Sequence, residues 1–414
     1  MPPTIHSHVL ENGLAVVAQP MDWLESAAFT LLVPAGCAHD PVDRLGLANF
    51  VCEMVQRGCG SRDSRRFVED LENLGVDRSA NASVAHSSFS AAAPANHLFD
   101  ALAIFADLVR QPHLPEDQLD DGRLVCVQEL RALEDDLAHK LMLTLRSQWY
   151  PDPWGRSVYG TIEALAAISA DDVRRFHANR FIPNGAILGV AGRFDWEELK
   201  GRVKSAFGDW AEVDTPVIEE KASSGKHVHQ DHESNQTHVG IALPGVAYCN
   251  EKYYEARAAV GVLSDGMSSR LFTEVREKRG LCYTVYALCH SLKDRGSVLC
   301  YAGTSADRAQ ETLDVMLAEI YRLKEGIETQ ELDRHKARIK SSLIMQQESS
   351  PARSSALAAD WYHLGRAQSI EEIRHVIESM PVEAVNRFLA DHPLDEFMTA
   401  TLGPTPLEVP GGVS

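Results

Sequence analysis

Residues 211–226 (AEVDTPVIEEKASSGK) interrupt an otherwise regular succession of apolar strands and amphipathic helices. The stretch is polar, aperiodic and rich in small residues, which is how a linker reads. On both sides of it the same programme runs, short apolar strands alternating with longer segments of helical period. A chain of 414 residues also exceeds what one ordinary core organises. Two domains are expected, at 1–212 and 229–414, joined by a linker at 213–228. Helices and strands recur in similar proportion in both halves, so a duplicated unit is suspected although residue identity between them is slight.

The N-terminal half opens on a hairpin signal, Asn12-Gly13 between two short strands. Strands follow at 27–33, 77–82, 84–93 and 186–191, with helices at 45–56, 64–74, 95–110, 116–145, 170–179 and 195–207. In the C-terminal half the strands are expected at 237–243, 282–290, 296–304 and 397–402. The helices there are expected at 252–265, 268–278, 306–324, 328–348, 370–378 and 382–389. The fold class is therefore α+β, an α/β sandwich of two mixed-sheet domains packed by helices. Residues 410–414 are expected to be disordered.

Charge narrows the function. A net charge of −19 leaves no basic footprint for phosphate, so nucleic acid is excluded as a partner. No run of apolar residues is long enough to span a membrane, and residues 1–20 lack the pattern of a secretory leader. The eight cysteines are scattered without a C-x-x-C pair, which points to reduced thiols and a cytoplasmic location.

Three stretches carry a resemblance. Gly46-Leu47-Ala48-Asn49-Phe50-Val51-Cys52-Glu53-Met54 is similar to the G-L-A-H-F-x-E-H-M helix of pitrilysin/insulinase peptidases, which contains the inverted zinc motif H-x-x-E-H. Asn184 to Trp210 is similar to the end of that family's first domain. Gly266 to Tyr283 matches its second-domain signature almost residue for residue. The resemblance implies two homologous domains of the LuxS/processing-peptidase-like metallohydrolase fold. It points to the small, two-subunit, mitochondrial-processing-peptidase-like branch of the family.

The departures matter as much as the matches. In the family, two histidines at i and i+4 and a later glutamate bind zinc, and the residue before the second histidine is the glutamate that activates water. Here those positions hold Asn49, Glu53, Glu129 and Cys52 respectively, and only Glu129 survives. No metal is expected in this chain. Cys52 reads as a small buried residue and Glu129 as a partner for an N–H or a lysine.

The second-domain signature keeps Arg276 and, seven residues on, Tyr283. The resemblance implies that this pair faces a zinc-bound substrate, the arginine holding its backbone and the phenol donating to the scissile carbonyl. A chain that lost the first motif and kept the second resembles the non-metal subunit of a heterodimeric zinc metallopeptidase. Its implied partner is a homologous half-size chain that carries H-x-x-E-H and the zinc, and its implied substrates are peptides. A homodimer in that partner's absence is compatible with the sequence. The competing expectation is a catalytically inert structural or assembly protein of the same fold, which needs neither Arg276 nor Tyr283.

Asn81-Ala82-Ser83-Val84 resembles the family's edge strand, to which an extended peptide adds by main-chain pairing. His227, His229 and His232 form the one local histidine concentration. An H-x-H strand puts two rings on one face, but an exposed strand start at the domain junction is the favoured reading.

Overall fold

The computed structural model describes residues 4–215, 217–223, 225 and 227–410, so linker residues 216, 224 and 226 and the tail 411–414 lie outside the described residues. Strands β1 (His6–Val9) and β2 (Ala15–Pro20) form the expected hairpin. The Asn12 amide in its turn donates to the carbonyls of Phe207 and Trp210, at 2.7 and 3.0 Å. With β3 (Ser26–Val33), β4 (Asp77–Ala82), β5 (Ser87–Pro94) and β6 (Ile187–Gly192) they build a mixed sheet of order β1-β2-β6-β3-β5-β4. A second sheet of order β7-β11-β8-β10-β9 contains β7 (Val228–Asp231), β8 (Gln236–Gly245), β9 (Cys282–Ser291), β10 (Gly296–Ser305) and β11 (Met398–Gly403).

Strands β2 to β6 and strands β7 to β11 follow one plan. In each set the first strand pairs parallel with the last, the remaining pairs are antiparallel, and the third strand lies at the edge. The duplication suspected from the sequence is present as topology.

The helices are α1 (Leu47–Met54), α2 (Ser64–Asn73), α3 (Leu98–Arg110), α4 (Leu119–Asp135), α5 (Leu137–Trp149), α6 (Ile162–Ala167), α7 (Ala170–Arg180) and α8 (Trp196–Phe207). They continue as α9 (Tyr253–Ser264), α10 (Ala309–Arg322), α11 (Thr329–Gln346), α12 (Ser350–Leu364), α13 (Ile370–Ser379) and α14 (Val382–Asp391). A π-helix covers Phe272–Glu277. The long helix expected at 116–145 is two helices, because Asp136 leaves helical geometry and caps the second by accepting from the His139 N–H.

Two compact units result, and they are not separated by one cut. Unit one gathers the chain up to Ala132, Asp152–Lys221 and Ile344–Ser369; unit two gathers Leu133–Pro151, Ala222–Leu343 and the chain from Ile370. The expected domains 1–212 and 229–414 thus describe the two sheets, while a helix from each half serves the other half's sheet. In unit two, Leu141, Met142 and Leu145 of α5 pack on Ala242, Leu299, Met398 and Ala400. In unit one, Leu357 of α12 packs on Val17, Met21 and Ala191, and Ala358 on Ala15 and Ile187. The rest of the α12 seat is polar. The Ser350 and Ser354 hydroxyls lie 3.2 Å from those of Ser26 and Thr30, and the buried Arg353 donates to the Gln19 side chain at 2.6 Å. Every buried polar atom so paired avoids the desolvation cost of an orphan.

Candidate functional site

In unit one, α1 begins where the buried Asp40 carboxyl accepts from the Gly46 and Ala48 N–H groups at 2.8 and 2.9 Å. That fixes its phase. Cys52 points into the core, 3% exposed, whereas Asn49 and Glu53, one turn apart, share the partly exposed face. The glutamate helix α4 packs closely on α1 because Gly122 faces it; a Cβ there would lie 2.6 Å from the Met54 sulfur and 3.1 Å from the Phe50 ring.

The structure therefore brings together the four positions that the sequence singled out, but it joins them as a protein network. The Asn49 amide donates to the Glu129 carboxylate at 2.8 Å, and Glu53 is ion-paired with Arg57 at 2.8 Å. The Arg78 guanidinium donates to Gln56 at 2.6 Å, and the Gln56 amide donates to the Cys52 carbonyl at 3.1 Å. Burial, reinforced by the nearby Glu53 charge, pushes the Cys52 thiol up to about 12. Cys126, one turn before Glu129, is likewise pushed up to about 12, by burial and then by the Glu129 charge.

These groups do not fit a tetrahedral two-histidine, one-glutamate zinc. They offer an amide, a thiol that stays protonated at neutral pH and two carboxylates, Glu53 paired with Arg57 and Glu129 accepting from Asn49, with no free base where the water-activating glutamate belongs. Among the described residues no group of three or more His, Cys, Asp or Glu side chains gathers as a metal cage. The sequence reading missed Arg57, Gln56 and Arg78; the i,i+4 pair Glu53–Arg57 was its only visible signal.

Asn81 and Ala82 end β4, which pairs only with β5 and forms one edge of the sheet. Ser83 and Val84 do not extend that edge, which is a correction to the four-residue strand. The chain turns there, with the Ser83 hydroxyl donating to the His86 carbonyl at 2.9 Å. The Ser83 and Val84 carbonyls are taken by the N–H groups of Cys37 and Ala38, both at 3.0 Å. In unit two, Nδ1 of His227 and of His229 lies 3.0 and 2.8 Å from the hydroxyls of Thr399 and Thr401 on β11, so these rings tie β7 to its neighbour.

Arg276 and Tyr283 are brought together in unit two, each by a departure from regular backbone. Arg276 lies in the π-helix, whose wider turn shows in the Lys278 N–H bonding the Thr273 carbonyl at 2.9 Å. The segment ends at Gly280, in left-handed geometry (φ +58°), its N–H donating to the Arg276 carbonyl at 3.0 Å. Tyr283 is the extra residue of a β-bulge. Thr284 pairs with Gly303 and Cys282 with Thr304, so Tyr283 has no partner across β10.

The bulge leaves Tyr283 81% exposed although it sits in a sheet. The Arg276 guanidinium lies between two rings, 4.7 Å from the centroid of Phe272 and 4.8 Å from that of Tyr283. The Glu277 carboxylate lies 4.0 Å from it, and Glu274 is occupied by Lys278 and Arg279 at 2.7 and 2.8 Å. A guanidinium packed against two rings and a phenol turned to solvent form an exposed donor pair. Phe272 belongs to it too, and the i,i+4 spacing from Phe272 to Arg276 was a sequence signal for it; the bulge left none.

The sequence profile described as Insulinase (Peptidase family M16) matches residues 16–162, and that described as Peptidase M16 inactive domain matches residues 167–339. The chain belongs to the insulinase family of peptidases. An uncharacterized zinc protease of Bacillus subtilis (strain 168), YmxG, is 26% identical to this insulinase-family chain over 408 residues, covering 97% of it and 98% of the relative. A protein of the same description from Rickettsia bellii is 25% identical over 406 residues, 96% and 97% of the two chains. Two solved structures share the fold. A peptidase M16 inactive domain from Pseudomonas fluorescens matches with TM-score 0.89 at 21% identity, over 98% of this chain and 99% of that one. A protease from Helicobacter pylori matches with TM-score 0.86 at 20% identity, over 98% and 100%.

Proposed function

We propose that this insulinase-family chain is the non-metal subunit of a two-chain zinc metallopeptidase, and that it completes its partner's active site with Arg276 and Tyr283. The observation that carries the reading is the built state of that pair. A π-turn and a bulge both serve to hold a guanidinium against an exposed phenol, and such deviations are commonly retained at working sites. A surface ion pair would need neither.

The zinc-motif positions of unit one support the other half of the proposal. Asn49, Cys52, Glu53 and Glu129 are satisfied by one another and by Arg57, and offer neither ligand set nor base. The partner, a homologous half-size chain with an intact H-x-x-E-H, carries the metal. This chain's share of the chemistry is positional and electrostatic. The Arg276 guanidinium holds the peptide backbone and the Tyr283 hydroxyl donates to the scissile carbonyl as negative charge gathers on its oxygen. One such donor is commonly worth about 2–4 kcal/mol in the transition state.

The test is steady-state peptide cleavage by the reconstituted pair. Tyr283→Phe keeps the ring beneath Arg276 and removes only the hydroxyl, so kcat should fall roughly 10²–10³-fold with KM little changed. An unchanged kcat would favour an inert structural or assembly role for the chain.

A further inference from the structure

The apolar core of unit two holds a cavity of about 150 Å³ between α9, the C-terminal end of α14 and strands β8 and β10. Leu243, Val260, Leu263, Val298, Phe388 and Leu394 are among the residues that line it. Its polar atoms are already engaged. The Ser297 hydroxyl lies 2.5 Å from the Tyr150 hydroxyl, and among the described residues no lining side chain has a buried polar atom without a partner. The lining Cys289 is a neutral thiol, because burial pushes it up to about 11.

Such a mainly apolar wall offers water few hydrogen bonds and a charge no carboxylate, lysine or arginine partner. Apolar cavities of this volume stay dry and take up molecules the size of benzene. At one end the wall reaches the surface, where the exposed His392 ring stacks on Phe388 with centroids 4.3 Å apart, followed by exposed Pro393. An apolar ligand could pass there without unfolding the sheet.

We infer that unit two carries a binding site for a small neutral apolar molecule, a ring or branched alkyl group of about benzene size, in this cavity. The site is distinct from the Arg276–Tyr283 pair. Its nearest β9 residue, Cys289, is six positions beyond Tyr283, about 20 Å at the rise of an extended strand.

The test is thermal unfolding of the full chain with and without benzene near its solubility limit. Tm should rise by the order of 2 °C, with an increment that saturates with concentration. Ala259→Leu, which fills the cavity from α9, should abolish the rise. Leu394→Trp, which blocks the wall nearer the surface, should abolish it too and gives the answer should the filled variant fold poorly. No rise in the native chain, or an equal rise in the variants, would overturn the inference.

Discussion

The third strand of each repeated set, β4 in β2–β6 and β9 in β7–β11, occupies the same place in the same plan, yet the two edges have opposite chemistry. Beside β4 stands a helix whose polar groups are turned on one another: Asn49 to Glu129, Glu53 to Arg57, Gln56 to Arg78. Beside β9 stands a π-helix whose arginine lies 4.0 Å from the Glu277 carboxylate and against the ring of a phenol facing solvent. A duplicated scaffold can therefore satisfy one set of polar groups internally and leave the other set facing solvent through a distorted backbone. The Glu53 charge is met by Arg57, and the buried Cys52 is a thiol that does not ionise at neutral pH.

Building an H-x-x-E-H motif at the α1 positions should produce the largest effect. The native chain should take up no stoichiometric zinc in equilibrium dialysis, whereas Asn49→His, Cys52→Glu and Glu53→His together, with Glu129 in place, should bind one equivalent. Zinc retained by the native chain would erase the contrast between the two edges.

Next in size is Arg276→Ala in the reconstituted pair, expected to lower kcat/KM roughly 10²-fold. Arg276→Lys should recover little, because an ammonium lacks the plane that stacks between Phe272 and Tyr283. Full recovery by lysine would reduce the stack to a simple charge.

A smaller effect compares the units through pH. Burial, with Arg180 adding to it, holds His39 in unit one down at about 4, and burial with Arg146 does the same for His290 in unit two. Each folded value lies below the unfolded 6.5, so the stabilisation is complete above pH 6.5 and is lost as pH falls toward 4. After allowance for partial exposure each contributes on the order of 1–2 kcal/mol. In denaturant titrations, His290→Gln should flatten the acid slope only for the transition that reports unit two; an unchanged slope would contradict the assignment. The smallest effect is Asn49→Ala, which removes one exposed hydrogen bond to Glu129 and should cost no more than about 0.5 kcal/mol in the same titration.

Much of this contrast was legible beforehand. The Asn12-Gly13 hairpin, the strands that became β3, β8 and β10, and the helices α2, α7 and α8 follow from turn chemistry, apolar runs and helical period, because these strands are buried on both faces and these helices on one. The substituted positions at 49, 52 and 53 could be read letter by letter, and the structure joins them to Glu129 as one cluster. The misses share a cause, which is that tertiary partners change what a segment's polarity means. Helix α12 was not foreseen since Ser350, Arg353, Ser354 and Asp360 look solvated but are buried, in part against a sheet face of serine and threonine. The exchange of α5 and α12 between units is likewise invisible to any reading that divides the chain once. The bulge at Tyr283 arises from strand register, and register depends on a partner strand that the local sequence does not contain.

Peptide cleavage by three samples tests the central claim most directly: this chain alone, a zinc-bearing homologous half-chain alone, and their equimolar mixture, each with and without a chelator. The account predicts chelator-sensitive cleavage by the mixture, none by this chain alone, and loss of most of the mixture's turnover when this chain carries Tyr283→Phe. Zinc-dependent cleavage by this chain unaided, or a mixture indifferent to Tyr283, would contradict it.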